Sequence, residues 1–356
     1  MRRCNRCLMP DTRPGMKFDS DGVCIACRNY DARQNTPWEA RADDLRDLCE
    51  EYMRDDGRYD VLIPVSGGKD SHTLVHVLKN QEHMHPLLFT VTDPFTKTDA
   101  GMDNIKNLVG HFGCDHMAFT LNEDLHRRLI IEDTENELHP LKTVEMLIYV
   151  LPSLFAGKLG IPLVFFGEDS AYLYGTSEVE TPDATPTVRA IYDELRLKFW
   201  KGKNDPHPFA NEVRRMVRHL STDDALEGVD VQWMSYYMDW DDEKNYELAE
   251  KHGFRDLTGE WEREGWLEPY TQIDSCAYIL QIWTKYPKYG FQRATDMASR
   301  WIRKGKITRD EGMRLVEEND HKLDPRAFDD FLWFLRKDEE WFWKCVKRHE
   351  RSARCT

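Results

Sequence analysis

The sequence predicts an α/β fold, a parallel sheet with helices on both faces, preceded by a small cysteine-bound module and followed by a mainly helical region. Three observations carry this reading. Short apolar, β-branched runs alternate with helix-length stretches between residues 36 and 225. Four of the nine cysteines fall within the first 27 residues. Residues 226–356 are dense in Trp, Tyr and charge and read mainly as helix. The chain therefore divides into a 1–35 module, a 36–225 nucleotide-binding domain and a 226–356 region for substrate or partner.

In the first module, Cys4-x2-Cys7 and Cys24-x2-Cys27 stand 16 residues apart. Two such knuckles can close a tetrahedral thiolate site, with Gly15 and Gly22 allowing the turns between them. A segment this short cannot build a core alone, so a structural Zn²⁺ in a ribbon-like module is expected. An iron–sulfur cluster would use the same four thiolates. Catalysis at this metal is not expected, because four Cys leave no open position. Cys49, Cys114, Cys276, Cys345 and Cys355 are scattered and read as plain or buried thiols.

The middle region opens with a helix at Trp38–Met53, then a buried strand at Tyr59–Val65 bounded by Gly57 and Gly67. The loop Ser66-Gly67-Gly68-Lys69-Asp70 leads into a helix from Ser71. A strand at Pro86–Thr92, a helix at Met102–Phe112 and a strand at Met117–Thr120 follow, then a helix at Leu141–Lys158 and a strand at Pro162–Phe166. Ligands of such sheets sit at the carboxyl ends of the strands. The loops Ser66–Ser71, Thr92–Asp99 and Gly167–Gly175 should therefore share one crevice.

The hexapeptide SGGKDS at 66–71 is built for an anion. Gly67 and Gly68 let backbone N–H groups approach it, and the following helix presents its positive end. Ser66 and Ser71 add hydroxyls and Lys69 a point charge. Asp70 beside a polyphosphate calls for Mg²⁺ or a cap. The Walker pattern GxxxxGK[ST] is absent. SGGKDS resembles the SGGxDS motif of the PP-loop ATP pyrophosphatases, a HUP-like α/β superfamily. The resemblance implies that Ser66–Ser71 bind the pyrophosphate of ATP, with Thr92 and Gly167 in the same nucleotide site.

Longer stretches narrow this. CNRCLMPDTRPGMKFDSDGVCIACRNY, GEDSAYLYG (167–175), WMSYYMDWDDEKN (233–245), GEWEREGW (259–266) and KYGFQRATDMASRWIRKGKITRDE (288–311) resemble bacterial N-acetyl sugar amidotransferases, the WbpG-like and PseA-like enzymes of surface-polysaccharide and flagellar-sugar biosynthesis. Asp169 stands where that family usually has Asn, and Leu173 where it has Glu. The resemblance runs from Met1 to about Asp324. It implies that the acetamido oxygen of an N-acetylated nucleotide sugar is adenylated and then displaced by ammonia, giving an acetamidino sugar, AMP and PPi. It also implies a separate glutaminase and a cyclase-like barrel that conducts the ammonia.

Expected roles follow. Lys69, Asp70 and Glu168 are the catalytic set, Asp70 and Glu168 holding Mg²⁺, with Asp169 able to reach the metal or the ammonia. Tyr172, Tyr174, Lys288 and Arg293 are assigned to the sugar nucleotide. Arg293, Asp296, Arg300 and Arg303 fall on one helical face and could hold a diphosphate. The aromatic segment at 328–343 is expected as core packing more than as a docking surface. A net charge of −15 gives no footprint for nucleic acid. No signal-like start or membrane-length apolar run is present, so a cytoplasmic protein is expected. No cysteine lies in GxCxG and residue 2 is Arg2, so glutamine hydrolysis is not expected of this chain. The competing readings are a tRNA-thiolating PP-loop enzyme and a non-catalytic ATP-binding scaffold of a glutaminase complex.

Overall fold

A computed structural model describes residues 1–169, 173–175, 181–199 and 226–350. Five strands, β1 (Val61–Pro64), β2 (Pro86–Thr92), β3 (Asp115–Thr120), β4 (Leu163–Phe166) and β5 (Asp230–Trp233), form one parallel sheet in the order β3-β2-β1-β4-β5. The strand order reverses beside β1. Loops leaving β1 and β4 diverge there and open a crevice at their carboxyl ends.

Alternation along each strand builds two apolar layers. Leu62, Val164 and Phe166 face one layer with Val150, Leu151 and Leu154. Val61, Ile63, Leu163 and Phe165 face the other with Leu74, Leu78, Leu108 and Trp240. Parallel strands buried on both faces need such continuous apolar runs. The helices supplying these layers include α2 (Trp38–Tyr52), α3 (Lys69–Val75, continuing as a π-helical turn His76–Gln81), α4 (Asp99–Phe112) and α6 (Lys142–Leu159).

Three features differ from the sequence expectation. α1 (Ile25–Arg33) and α5 (Glu123–Glu137) were not expected, because both are polar-rich and acquire buried faces only from their neighbours. A helix at Thr185–Phe199 was likewise not anticipated. The fifth strand lies beyond residue 225, so the sheet draws its last strand from the region expected to be separate.

The C-terminal helices Pro325–Leu335 and Glu339–His349 bury Phe331, Phe334 and Phe342 against Phe95, Leu138, Leu141 and Trp283. The aromatic segment is thus core. Trp333 and Trp343 stay exposed. No described helix is long and apolar enough to cross a membrane.

α4 is pinned to the C-terminal region at its first turn. Thr98 caps it by accepting from Gly101 N–H at 2.9 Å, and its hydroxyl donates to the Ile273 carbonyl. A Cβ on Gly101 would lie 2.6 Å from Asp274 Cα. That neighbour is backbone and cannot rotate away, so Gly101→Ala is expected to cost about 1–3 kcal/mol in urea unfolding.

Candidate active site

A cavity of about 770 Å³ opens at the carboxyl ends of β1, β2 and β4. All three loops expected to meet there contribute to it: Ser66 and Gly68–Ser71, Thr92, Asp93 and Lys97, and Gly167–Asp169 with Leu173 and Tyr174. The opposite wall comes from the C-terminal region through Tyr270–Asp274, Tyr278, Arg293 and Arg300.

The phosphate loop is braced from within. Gly67 has φ 86°, and a Cβ there would press on Ile105 at 3.1 Å. Ser71 Oγ accepts from Ser66 N–H at 3.1 Å, so this hydroxyl holds the loop's shape. Lys69 is buried, with Nζ 2.6 Å from Asp70 Oδ2 and 3.7 Å from Asp242 Oδ1. Burial alone would lower its pKa, but Asp70 and Asp242 outweigh it and the net shift is upward. Asn245 Nδ2 donates to Asp70 Oδ1 at 2.8 Å, fixing that carboxylate. Burial would raise Asp242, yet Arg300, Lys69 and Arg293 hold it well below the usual carboxylate range.

Glu168 faces the cavity and is exposed to it. The surrounding protein mass, then repulsion from Asp70, push its carboxyl up to about 7, with Lys69 opposing. Asp70 and Glu168 both line the cavity and offer the oxygen ligands a divalent cation takes. Asp169 does not join them. It is buried and paired with Arg33 Nη1 at 2.6 Å, because α1 covers this end of the loop.

The remaining expected residues fall as follows. Thr92 lines the cavity, its hydroxyl 2.8 Å from that of Thr120. Gly167 lines it too, and a Cβ there would meet the Trp240 ring at 2.9 Å. Tyr174 lines it between two guanidiniums, Arg13 at 5.0 Å and Arg300 at 4.9 Å from the ring centre. Tyr172 lies outside the described residues. Arg293 reaches the cavity wall but is tied to Glu268 Oε1 at 3.1 Å. Lys288 is not among the lining residues. Its Nζ donates to the Glu137 carbonyl at 3.3 Å, and burial lowers it to about 8.

The expected basic stripe does not face bulk solvent, although Arg293 and Arg300 reach the cavity. Arg293, Asp296, Arg300 and Arg303 are all buried, on the Arg293–Arg303 helix. Asp296 pairs with Arg13 and Arg300 with Asp242. Sequence reasoning had passed over Asp242 and Asn245. The signal was present in the run Asp241–Asn245: Asp241 caps the Asp242–Lys251 helix, which sets both side chains beside α3.

The four N-terminal cysteines converge. Their Sγ atoms lie within 4.8 Å of one another, with Cys4–Cys27 at 3.9 Å and Cys7–Cys24 at 3.6 Å. A tetrahedral site with Zn–S near 2.3 Å has edges of about 3.8 Å, so the four residues fit zinc. Backbone N–H groups of Cys24 and Met9 point at Cys4 Sγ (3.2 Å) and Cys7 Sγ (3.4 Å), as thiolates require.

The far cavity wall is matched by known sequences. Residues 264–354 match the family described as LPS biosynthesis protein WbpG-like, C-terminal domain. This WbpG-like segment supplies Tyr270–Asp274, Tyr278, Arg293 and Arg300 to the cavity. The chain is also similar to an uncharacterized protein of Methanocaldococcus jannaschii, 23% identical over 123 residues. That match spans 34% of this chain and 43% of the relative, less than half its length. Among solved structures it is similar to NMN synthetase from Francisella tularensis, at 11% identity, 57% of this chain, 94% of that one and TM-score 0.30. NH3-dependent NAD synthetase from Campylobacter jejuni gives 15%, 65%, 100% and 0.32.

Two expectations arise from this geometry. Metal analysis of protein purified without air should find about one zinc per chain, lost in Cys4→Ser; iron with visible absorbance would assign a cluster instead. Without nucleotide or Mg²⁺, ¹³C NMR of labelled glutamate should show one carboxyl titrating near 7, absent in Glu168→Gln. The folded state then binds a proton more tightly than the unfolded chain from about pH 4.3 to 7. Stability therefore falls with rising pH across that window, and Glu168→Gln should make the slope shallower, the remainder below about pH 6 coming from Asp274 and Asp320, which burial pushes up to about 6.

Proposed function

We propose that this chain is an ATP-dependent, AMP-forming amidotransferase that converts the N-acetyl group of a nucleotide sugar to an acetamidino group. One observation carries the reading: the phosphate loop and the WbpG-like segment line the same cavity. Its volume of about 770 Å³ accommodates ATP beside a second substrate.

An amide oxygen is a weak nucleophile, so it must be held in line with the α-phosphate while the leaving pyrophosphate is neutralised. The backbone of Ser66–Ser71 and the Lys69 ammonium serve the pyrophosphate. When bound by Asp70 and Glu168, Mg²⁺ supplies the remaining charge neutralisation. The amide oxygen bonds to the α-phosphorus as the bond to pyrophosphate breaks. Ammonia then adds to the activated carbon, AMP departs with the former amide oxygen, and loss of a proton leaves the amidine. Tyr174 and Arg293 are suited to the sugar nucleotide.

The nitrogen is proposed to come from a separate glutaminase through a cyclase-like barrel subunit. This chain has no evident glutaminase nucleophile among its described residues. Cys49, Cys114, Cys276 and Cys345 are buried, and burial pushes Cys49 and Cys276 up to about 12. None of the described cysteines lines the cavity, which also disfavours thiolation chemistry.

The test is incubation with ATP, Mg²⁺, ammonium and a panel of N-acetylated nucleotide sugars, read by mass spectrometry. One sugar should show the mass change of an oxygen replaced by NH, with PPi released. Glutamine should support the isolated chain at least about tenfold less well than ammonium. Asp70→Ala should abolish PPi release while its circular dichroism stays native. PPi release with no sugar altered would return the chain to a different PP-loop chemistry.

A further inference from the structure

A second pocket, of about 310 Å³, lies behind the main cavity and is lined by charged groups of α1, the 239–247 segment and the end of the Arg293–Arg303 helix. Leu173, Trp240 and Arg300 line both spaces. These three residues stand between the two spaces, and the second is polar enough to hold water.

The N-terminal module is what fixes this partition. Arg303 is buried, with Nη1 3.8 Å from Cys7 Sγ and Nη2 3.1 Å from the Leu173 carbonyl. One guanidinium therefore joins a metal-site sulfur to the backbone of the cavity wall. Arg13, from the loop between the knuckles, stacks on Tyr174 at 5.0 Å and on Phe291 at 4.7 Å. Gly175 seats directly on α1, where a Cβ would come within 2.8 Å of Ala26 N. Arg33 donates to the Trp240 carbonyl at 3.1 Å. Leu173–Gly175 is thus held from the module and the Arg293–Arg303 helix, while Trp240 packs on the sheet.

We propose that the Cys4 module is a positioning element of the active site: through Arg303 and Arg13 it holds the Leu173–Tyr174 wall as a partition that excludes water from the main cavity. The consequence rests on the amidotransferase reading. An adenylated amide carbon is open to water as well as ammonia. Water addition expels AMP and, after proton loss, regenerates the N-acetyl group, so ATP is spent with no product.

The test uses the full chain with Arg303→Lys and Arg13→Lys, which keep charge but lose the planar guanidinium. Leu173→Ala thins the partition without touching the module. For the two Lys variants, zinc should stay near one per chain and the Kd for Mg-ATP within about twofold. Hydrogen exchange of a peptide spanning 173–175 should accelerate about tenfold or more. With the sugar that reacts, AMP per amidine should rise from about one to about three or more in all three variants. Native exchange rates at 173–175 in both Lys variants would overturn the proposal, whether or not any sugar is turned over. Unchanged coupling in Leu173→Ala would overturn the water-excluding role even if the arginines prove to position the wall. Because exchange needs no substrate, failure of the sugar chemistry alone is recognised by its absence in the wild type.

Discussion

The site depends on one buried charge array. Lys69 stands at the start of α3 between Asp70 and Asp242, and Asp242 is in turn held by Arg300. All but Asp70 are buried. Charges in such a place persist only in mutual contact, and removing one partner of a buried pair costs about 3–5 kcal/mol. The array therefore fixes three distant segments at once: the phosphate loop, the Asp242–Lys251 helix and the Arg293–Arg303 helix. The sheet supplies a place for the loop, but the array decides what stands opposite it.

That constraint explains why the C-terminal region is part of the cavity and not an appendage. Its basic face is turned inward because Glu268 pairs with Arg293, Asp242 with Arg300, and Arg303 meets the Leu173 carbonyl and Cys7 Sγ. The cost of burying arginines is offset by carboxylates that come from other elements. Among the described residues Glu168 lacks a comparable partner, and the surrounding protein mass with repulsion from Asp70 pushes its carboxyl up to about 7.

The small N-terminal module follows the same pattern. Its own core is little more than the four thiols with Met9 and Ala26. It docks by Leu8 N–H on Ser299 Oγ at 3.2 Å, by Arg3 on Thr295 at 3.2 Å and by Arg309 on the Cys4 carbonyl at 3.3 Å. A metal that orders these knuckles also orders everything they touch, including the wall at Leu173–Gly175.

Local chemistry made part of this protein legible from its residues alone. Strand runs such as Val61–Pro64 and Leu163–Phe166 are apolar on both faces, so a parallel buried sheet was legible. SGGKDS needs no partner to declare an anion loop, and two CxxC knuckles declare a metal. The use of charged residues was settled by how distant elements pack together. Helical spacing in 293–303 shows that Arg293, Asp296, Arg300 and Arg303 share a face, but not whether that face meets solvent, phosphate or carboxylates from elsewhere. Asp169 looked equivalent to Glu168, one residue earlier, until α1 brought Arg33 to it. Asn245 lies 175 residues from the Asp70 it holds, and Asp242 reaches the same loop through Lys69. A charge takes its meaning from the partner that folding delivers, and at such separations nothing local in the sequence specifies which partner that will be.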